Sequence, residues 1–353
     1  MTVLARLTDG FVSMQCDVCT PPVLTINTPQ GLRANGWTLA ADADGLDACA
    51  NCSVRIPARQ RQARRDAVAV DPDPARLPNL VVIGAMKAGT TSVHNYLDVH
   101  PEIAVSVDKE MRFFTDPDHR SWLGAYQDQF QPGTRYRAES TPFYTKAACF
   151  PGVVDRMADL IPDARLIYLV RDPIERLVAE YVEQLQWRAT SRTLEEELAD
   201  PEEITNGLID SSRYATQLED FLRRFDRDQI LVLDLADLAS DVVGTMGRIF
   251  DFLDLPRPDA SADDFVRFNV REDRRALPDW LLKLRRGPMG RATQWVPAGP
   301  RRALSHLAWK RTGARLEVPV LDPGLRAGLE AALKPEADRL RQLTGQAFAT
   351  WSI

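Results

Sequence analysis

Pro78-Asn-Leu-Val-Val-Ile-Gly84-Ala-Met-Lys87-Ala-Gly89-Thr90-Thr91-Ser92-Val-His-Asn-Tyr-Leu-Asp-Val-His100 is the stretch that decides the fold of this 353-residue chain. Its unbroken apolar run, Leu80 to Ile83, is rich in β-branched residues and reads as a strand buried on both faces of a parallel sheet. Small residues around one lysine follow, and then Val93, Tyr96 and Leu97 fall at helical spacing, with Thr90, Thr91 or Ser92 as the expected N-cap. A strand, a glycine loop and a helix start together form an anion cradle, because backbone N–H groups and the positive end of the helix dipole converge on one point. A nucleotide triphosphate loop reads G-x-x-x-x-G-K-[ST]. Gly84 and Gly89 keep that glycine interval, but Thr90 occupies the lysine position and the lysine stands inside the loop as Lys87. The displacement points to a different, shorter anion, with the cation beside the bond to be broken; the plain alternative is a strand-to-helix turn with a solvated lysine.

Working outward, the length suits one large α/β domain and something small. A net charge of −6 (44 Lys+Arg, 50 Asp+Glu) argues against a general nucleic-acid binder. No apolar run reaches the roughly 18–20 residues that span a bilayer, and no signal peptide is recognised at the N-terminus. A reducing cytoplasm is the expected setting.

Four of the five cysteines form two pairs, Cys16-x-x-Cys19 and Cys49-x-x-Cys52. Tetrahedral zinc takes four such ligands. Val23 to Ile26 and Trp37 to Ala40 read as short strands between them, so residues 1–56 resemble a zinc ribbon, a unit too small to fold without a staple. Two disulfides, or redox-active C-x-x-C pairs, are the alternatives. Cys149 reads as buried and inert. Residues 57–77, carrying most of an arginine cluster and then Asp71-Pro-Asp-Pro74, read as a linker. The ribbon is also a candidate docking module for a protein partner.

Two further buried strands are expected at Ala164 to Val170 and Gln229 to Asp234. The first ends in Arg171-Asp172-Pro173 and leads into a helix. A magnesium-managing strand would end in aspartate. An arginine at the carboxyl end of a strand in an open sheet instead suits a phosphate, onto which its guanidinium can fork. Leu194 to Pro201 reads as an acidic helix with no apolar face, a flap over a substrate.

Gly84-Ala-Met-Lys87-Ala-Gly89-Thr90-Thr91-Ser92 with His100-Pro101 resembles the 5′-phosphosulfate loop of sulfotransferases that use 3′-phosphoadenosine-5′-phosphosulfate (PAPS), above all the bacterial and heparan-sulfate-type members. The similarity runs from about Asn79 to the C-terminus. It implies a P-loop-like three-layer α/β fold for residues 78–353 with a mostly parallel sheet, and sulfonate transfer from PAPS to a hydroxyl or amine of a glycan, lipid or small metabolite. Lys87, Ala88, Gly89, Thr90, Thr91 and Ser92 would then hold the 5′-phosphosulfate. Arg171 falls in an R-D-P-x-E-R-x-x-x-x-Y segment similar to the family's 3′-phosphate motif, though Ala179 replaces its usual serine. Arg271, in a tract where relatives close a loop over the nucleotide, is a candidate to restore that contact. Tyr214 resembles a tyrosine near the nucleotide, with core packing the alternative. Lys109-Glu110-Met-Arg-Phe113-Phe114 is similar to a segment whose glutamate takes the acceptor proton, which makes Glu110 the candidate base and Lys87 its catalytic counterpart. Glu139-Ser140-Thr141-Pro142 is similar to a segment beside the donor sulfate, where some heparan-type members have lysine in place of Ser140; Glu139 is either structural or catalytic. The rivals are a P-loop kinase and a non-catalytic nucleotide-binding or partner-tethering protein on the same fold.

Overall fold

The computed structural model describes residues 70–186, 192–199, 207–259, 261–262, 265 and 318–353, together with the backbone of short strands at 2–6, 11–15, 22–26, 275–276 and 314–315. Cys16, Cys19, Cys49, Cys52 and Arg271, the Trp37 to Ala40 strand and most of the linker lie outside the described residues. At the N-terminus β1 (Thr2–Arg6), β2 (Phe11–Gln15) and β3 (Pro22–Ile26) form an antiparallel sheet. β3 agrees with the expected Val23 to Ile26 strand; β1 and β2 carry no strong sequence signal.

The main sheet is built from β4 (Leu80–Gly84), β5 (Ile103–Val105), β6 (Tyr136–Ser140), β7 (Arg165–Val170) and β8 (Ile230–Asp234). Its order is β5-β6-β4-β7-β8 and every neighbouring pair is parallel. β4 is central and all five of its residues are buried, as expected for a strand covered on both faces. The crossovers carry α1 (Thr90–Leu97), α2 (Leu123–Gln127), α3 (Val153–Leu160), α4 (Pro173–Gln186), α5 (Leu194–Glu197), α6 (Gly207–Asp210) and α7 (Tyr214–Leu222). After β8 come α8 (Leu235–Ser240) and α9 (Val242–Phe252), a small pairing of β9 (Arg275–Ala276) with β10 (Ala314–Arg315), and the long α10 (Pro323–Thr344). No helix among the described residues is long and apolar enough to cross a membrane.

Two expectations change. The N-cap of α1 is Gly89, not one of the hydroxyl residues, and it sits at φ +93°. A Cβ there would lie 2.8 Å from Leu235 Cδ1, so the loop needs glycine for both its backbone and its neighbour. The acidic segment after α4 is not a free flap: Leu194 and Leu198 are buried in a second apolar cluster with Ile174, Leu177 and Leu329, while a Thr193–Glu196 capping box starts the helix. Two leucines at i and i+4 were enough to give it an inward face.

Candidate active site

The chain leaves β4 through Gly84, where a Cβ would fall 2.0 Å from Thr145 Oγ1, so the turn carrying Thr145 packs directly on the strand end. The loop then folds back on itself, with Ala88 N donating to Ala85 O at 3.1 Å. Ala85 and Ala88 are buried, and Lys87 takes φ +69°. The start of α1 has no side-chain cap, a geometry that suits an anion at its first N–H groups. Thr90 is buried at this helix start, while Thr91 and Ser92 are partly exposed.

Lys87 and Arg171 emerge at the same edge of the sheet. β4 and β7 are adjacent, pairing Gly84 with Tyr168, and Ala85 N donates to Leu169 O at 2.6 Å. Lys87 therefore follows one strand by three residues and Arg171 follows its neighbour by one. Both cations rest on α4: Lys87 Nζ lies 3.3 Å from Glu183, and an Arg171 guanidinium nitrogen lies 2.5 Å from Glu175. Eight residues separate those carboxylates, about 12 Å along a helix. The arrangement fits a ligand with two separated anionic groups; β7 is followed by Arg171, and the Asp172 carboxylate after it is taken up by the N–H groups of Glu175 and Ser352.

Beneath the loop lies a buried ionic network that sequence reasoning missed. The Arg176 side chain is fully buried and donates to Glu180 Oε2 at 2.5 Å, Ser212 Oγ at 2.6 Å, the Leu208 carbonyl and the Met86 carbonyl at 3.5 Å. Lys146 donates to the other Glu180 oxygen at 2.5 Å. Nearby Asp210, which accepts from Gln217 Nε2 at 3.1 Å, is pushed up by burial to about 6. The only advance signal was the second arginine of R-D-P-x-E-R. Ala179 is a buried position on the same helix.

Tyr214 is fully buried, with its ring centroid 6.0 Å from Tyr168 and 5.6 Å from Trp351; burial pushes its hydroxyl well up. The structure thus places it behind the Arg171 strand end as packing. Trp351 Nε1 donates to Asp234 Oδ2 at 3.0 Å, a contact with no motif to announce it.

On the other side of β4, Glu110 stands at φ +62° with its N–H donating to Ser140 O at 3.0 Å. Lys109 Nζ donates to Glu110 Oε1 at 2.5 Å, and the Glu110 side chain is 39% exposed. His94, from α1, bonds Ser140 Oγ through Nδ1 at 3.0 Å. Burial, reinforced by the Lys109 charge and opposed by that of Glu110, lowers the His94 pKa to about 4, so its ring is neutral near pH 7. The strand end, the helix after the loop and the K-E segment therefore meet here. Phe113 and Phe114 are core: Phe113 stacks on Tyr126 at 3.7 Å. Glu139 is fully buried and accepts from Thr141 Oγ1 and the Tyr144 hydroxyl, both at 2.7 Å, and from the Tyr126 hydroxyl. Burial raises its pKa. With three donors from its own neighbourhood, Glu139 is a structural group.

Fold and site together define an α/β protein whose parallel sheet carries Lys87 and Arg171 at the carboxyl edge of adjacent strands, with the Glu110 carboxylate at the end of the neighbouring strand. Residues 108–259 match the sulfotransferase family. The chain is 34% identical over 201 residues to human heparan sulfate glucosamine 3-O-sulfotransferase 3A1, covering 54% of this chain and 48% of that protein. It is also 32% identical over 141 residues to the membrane-associated sulfotransferase kil1 of Dictyostelium discoideum, covering 39% of this chain and 29% of that protein. The chain thus spans about half or less of the length of these curated relatives. A sulfotransferase from Alicyclobacillus acidocaldarius superposes with a TM-score of 0.55 at 22% identity, over 78% of this chain and 99% of that one, which shows the fold.

Proposed function

We propose that the protein transfers a sulfonate group from PAPS to a hydroxyl or amine of an acceptor. The observation that carries this reading is the placement of Lys87 and Arg171 at one edge of adjacent strands, each held on α4 by its own carboxylate. Lys87 neutralises charge building on the oxygen that bridges phosphorus and sulfur as that bond breaks. The amides from Ala88 to Ser92, with the hydroxyls of Thr90, Thr91 and Ser92, hold the 5′-phosphate, and Arg171 forks onto the 3′-phosphate. Glu110 receives the proton as the acceptor oxygen or nitrogen bonds to sulfur in line with the leaving phosphate. Lys109 brings a cation to the side where some relatives carry lysine at the Ser140 position. Arg271 is proposed as the added 3′-phosphate contact, and Tyr214 as packing behind it.

Calorimetry with 3′-phosphoadenosine-5′-phosphate (PAP) and a labelled-PAPS assay over an acceptor panel test this reading. Failure of PAP to bind would favour the non-catalytic alternative. For the N-terminal segment we keep structural zinc on Cys16, Cys19, Cys49 and Cys52, a protein-docking role and a reducing compartment as proposals. Metal analysis of the purified chain should find about one zinc per chain.

A further inference from the structure

Glu183 is the carboxylate of α4 that this chemistry leaves without a role. Its Oε1 faces Lys87 Nζ at 3.3 Å; its Oε2 is buried with no hydrogen-bond partner among the described residues. The two side chains are 23% and 17% exposed, so the pair still reaches the surface at the carboxyl edge of the sheet. A buried acceptor without a donor is destabilising, and more so when it is charged. When the phosphosulfate draws Lys87 toward the bridging oxygen, Oε1 loses its cation as well. A half-turn of the carboxyl torsion exchanges the two oxygens, so either can reach the cleft.

Something must then bring the carboxylate an N–H or O–H. The phosphosulfate end of the donor substrate cannot, because it carries only acceptor oxygens, and the hydroxyl and amine of PAPS lie on its ribose and adenine. Of the two substrates, the acceptor is the one that brings an O–H or N–H to the reacting end, where it displaces water from Glu183. We propose that Glu183 orients the acceptor by taking a hydrogen bond from an O–H or N–H next to the reacting group, and that it thereby selects acceptors that are neutral or cationic there, such as amino sugars or polyols. A sulfate or carboxylate of a polyanionic glycan at the same place would meet Glu183 with Lys87 already committed, a like-charge contact that disfavours binding. This separates the chain from relatives named for heparan sulfate. The inference rests on the sulfonate-transfer reading.

The test uses the full chain, labelled PAPS and two probes: kanamycin as a cationic amino sugar and N-sulfated heparosan as a polyanion. Wild type should label kanamycin and leave heparosan unlabelled. Glu183→Gln keeps an oxygen for Lys87 but removes the charge. It should raise the kanamycin KM tenfold or more with a much smaller change in kcat, while PAP binds equally or more tightly. Labelling of heparosan at an equal or better rate, labelling of neither probe, or an unchanged kanamycin KM in the variant overturns the proposal. If wild type binds PAP in those cases, only the Glu183 assignment falls; if it does not, the sulfonate-transfer reading falls with it.

Discussion

The backbone N–H of Ser352 donates to Asp172 Oδ2 at 2.5 Å, joining residues 180 positions apart at the carboxyl edge of the sheet. The other Asp172 oxygen accepts from Glu175 N at 2.8 Å and starts α4. With Trp351 on Asp234, the segment stitches the ends of β7 and β8 together directly behind Arg171. Trp351→Ala should cost about 3–5 kcal/mol and also weaken PAP binding, because Arg171 loses its backing. Trp351→Phe keeps the ring stack on Phe348 at 4.4 Å and should cost only about 1 kcal/mol. Denaturant melts and calorimetry on the two variants separate these effects.

Arg171→Ala should raise the PAP dissociation constant about 10- to 100-fold, the loss of one charged hydrogen-bond pair at about 1.5–3 kcal/mol. Its partner Glu175 is 52% exposed and is hydrated when left alone, so the melting temperature should not move. A large drop in stability with unchanged PAP affinity would make Arg171 a structural ion pair.

Lys87→Met should lower transfer by about 100- to 1,000-fold with circular dichroism unchanged. Full activity in this variant would contradict the assignment of the loop.

Glu110→Gln should lower kcat about 100- to 10,000-fold while PAP still binds, since Glu110 bonds the end of β6, across β4 from Arg171. The control is Glu139→Gln, which should act on stability because it replaces one of the two oxygens that accept from three buried hydroxyls with an NH2 donor.

Asp210 and His94 give opposite pH slopes. Asp210 is raised from 3.8 to about 6, so the folded chain binds the proton more tightly, and stability falls as pH rises between those values. His94 is lowered from 6.5 to about 4, so stability is lost as pH falls through that window. Each shift corresponds to about 3 kcal/mol at most. Between about pH 4 and 6 the two terms largely cancel. Asp210→Asn should therefore make the chain more acid-sensitive than wild type over this range, and His94→Gln should do the reverse. Urea melts at pH 4, 5, 6 and 7 read the difference.

How much of this was legible beforehand varies with what each residue's role depends on. β4, β7 and β8 announced themselves because strands buried on both faces are continuous apolar runs. β6 ends in Glu139 and Ser140 and so is no continuous apolar run, and Ile103–Val105 is too short to stand out from its surroundings. Lys87 and Arg171 were found because each sits next to such a strand, so sequence position fixes their location. Glu183 and the Arg176 partners were not. Glu183 meets Lys87 across 96 positions of chain and Glu180 meets Lys146 across 34, and helical periodicity says only which side of α4 they lie on. Glu139 shows the converse: its neighbours in sequence suggested a reacting group, and only the tertiary arrangement of Tyr126 and Tyr144 made it a satisfied one.

The floor beneath the loop has a consequence for how this protein can change. Glu180 is shared by Arg176 and Lys146 in an interior that water does not reach, so removal of any one member strands the others at a cost of about 3–5 kcal/mol. A coordinated exchange of the trio for well-packed apolar residues would avoid that penalty. Mutational paths through these three positions are therefore strongly epistatic: intermediates are lost even where the endpoints fold, and a library that varies them singly will report all three as immutable.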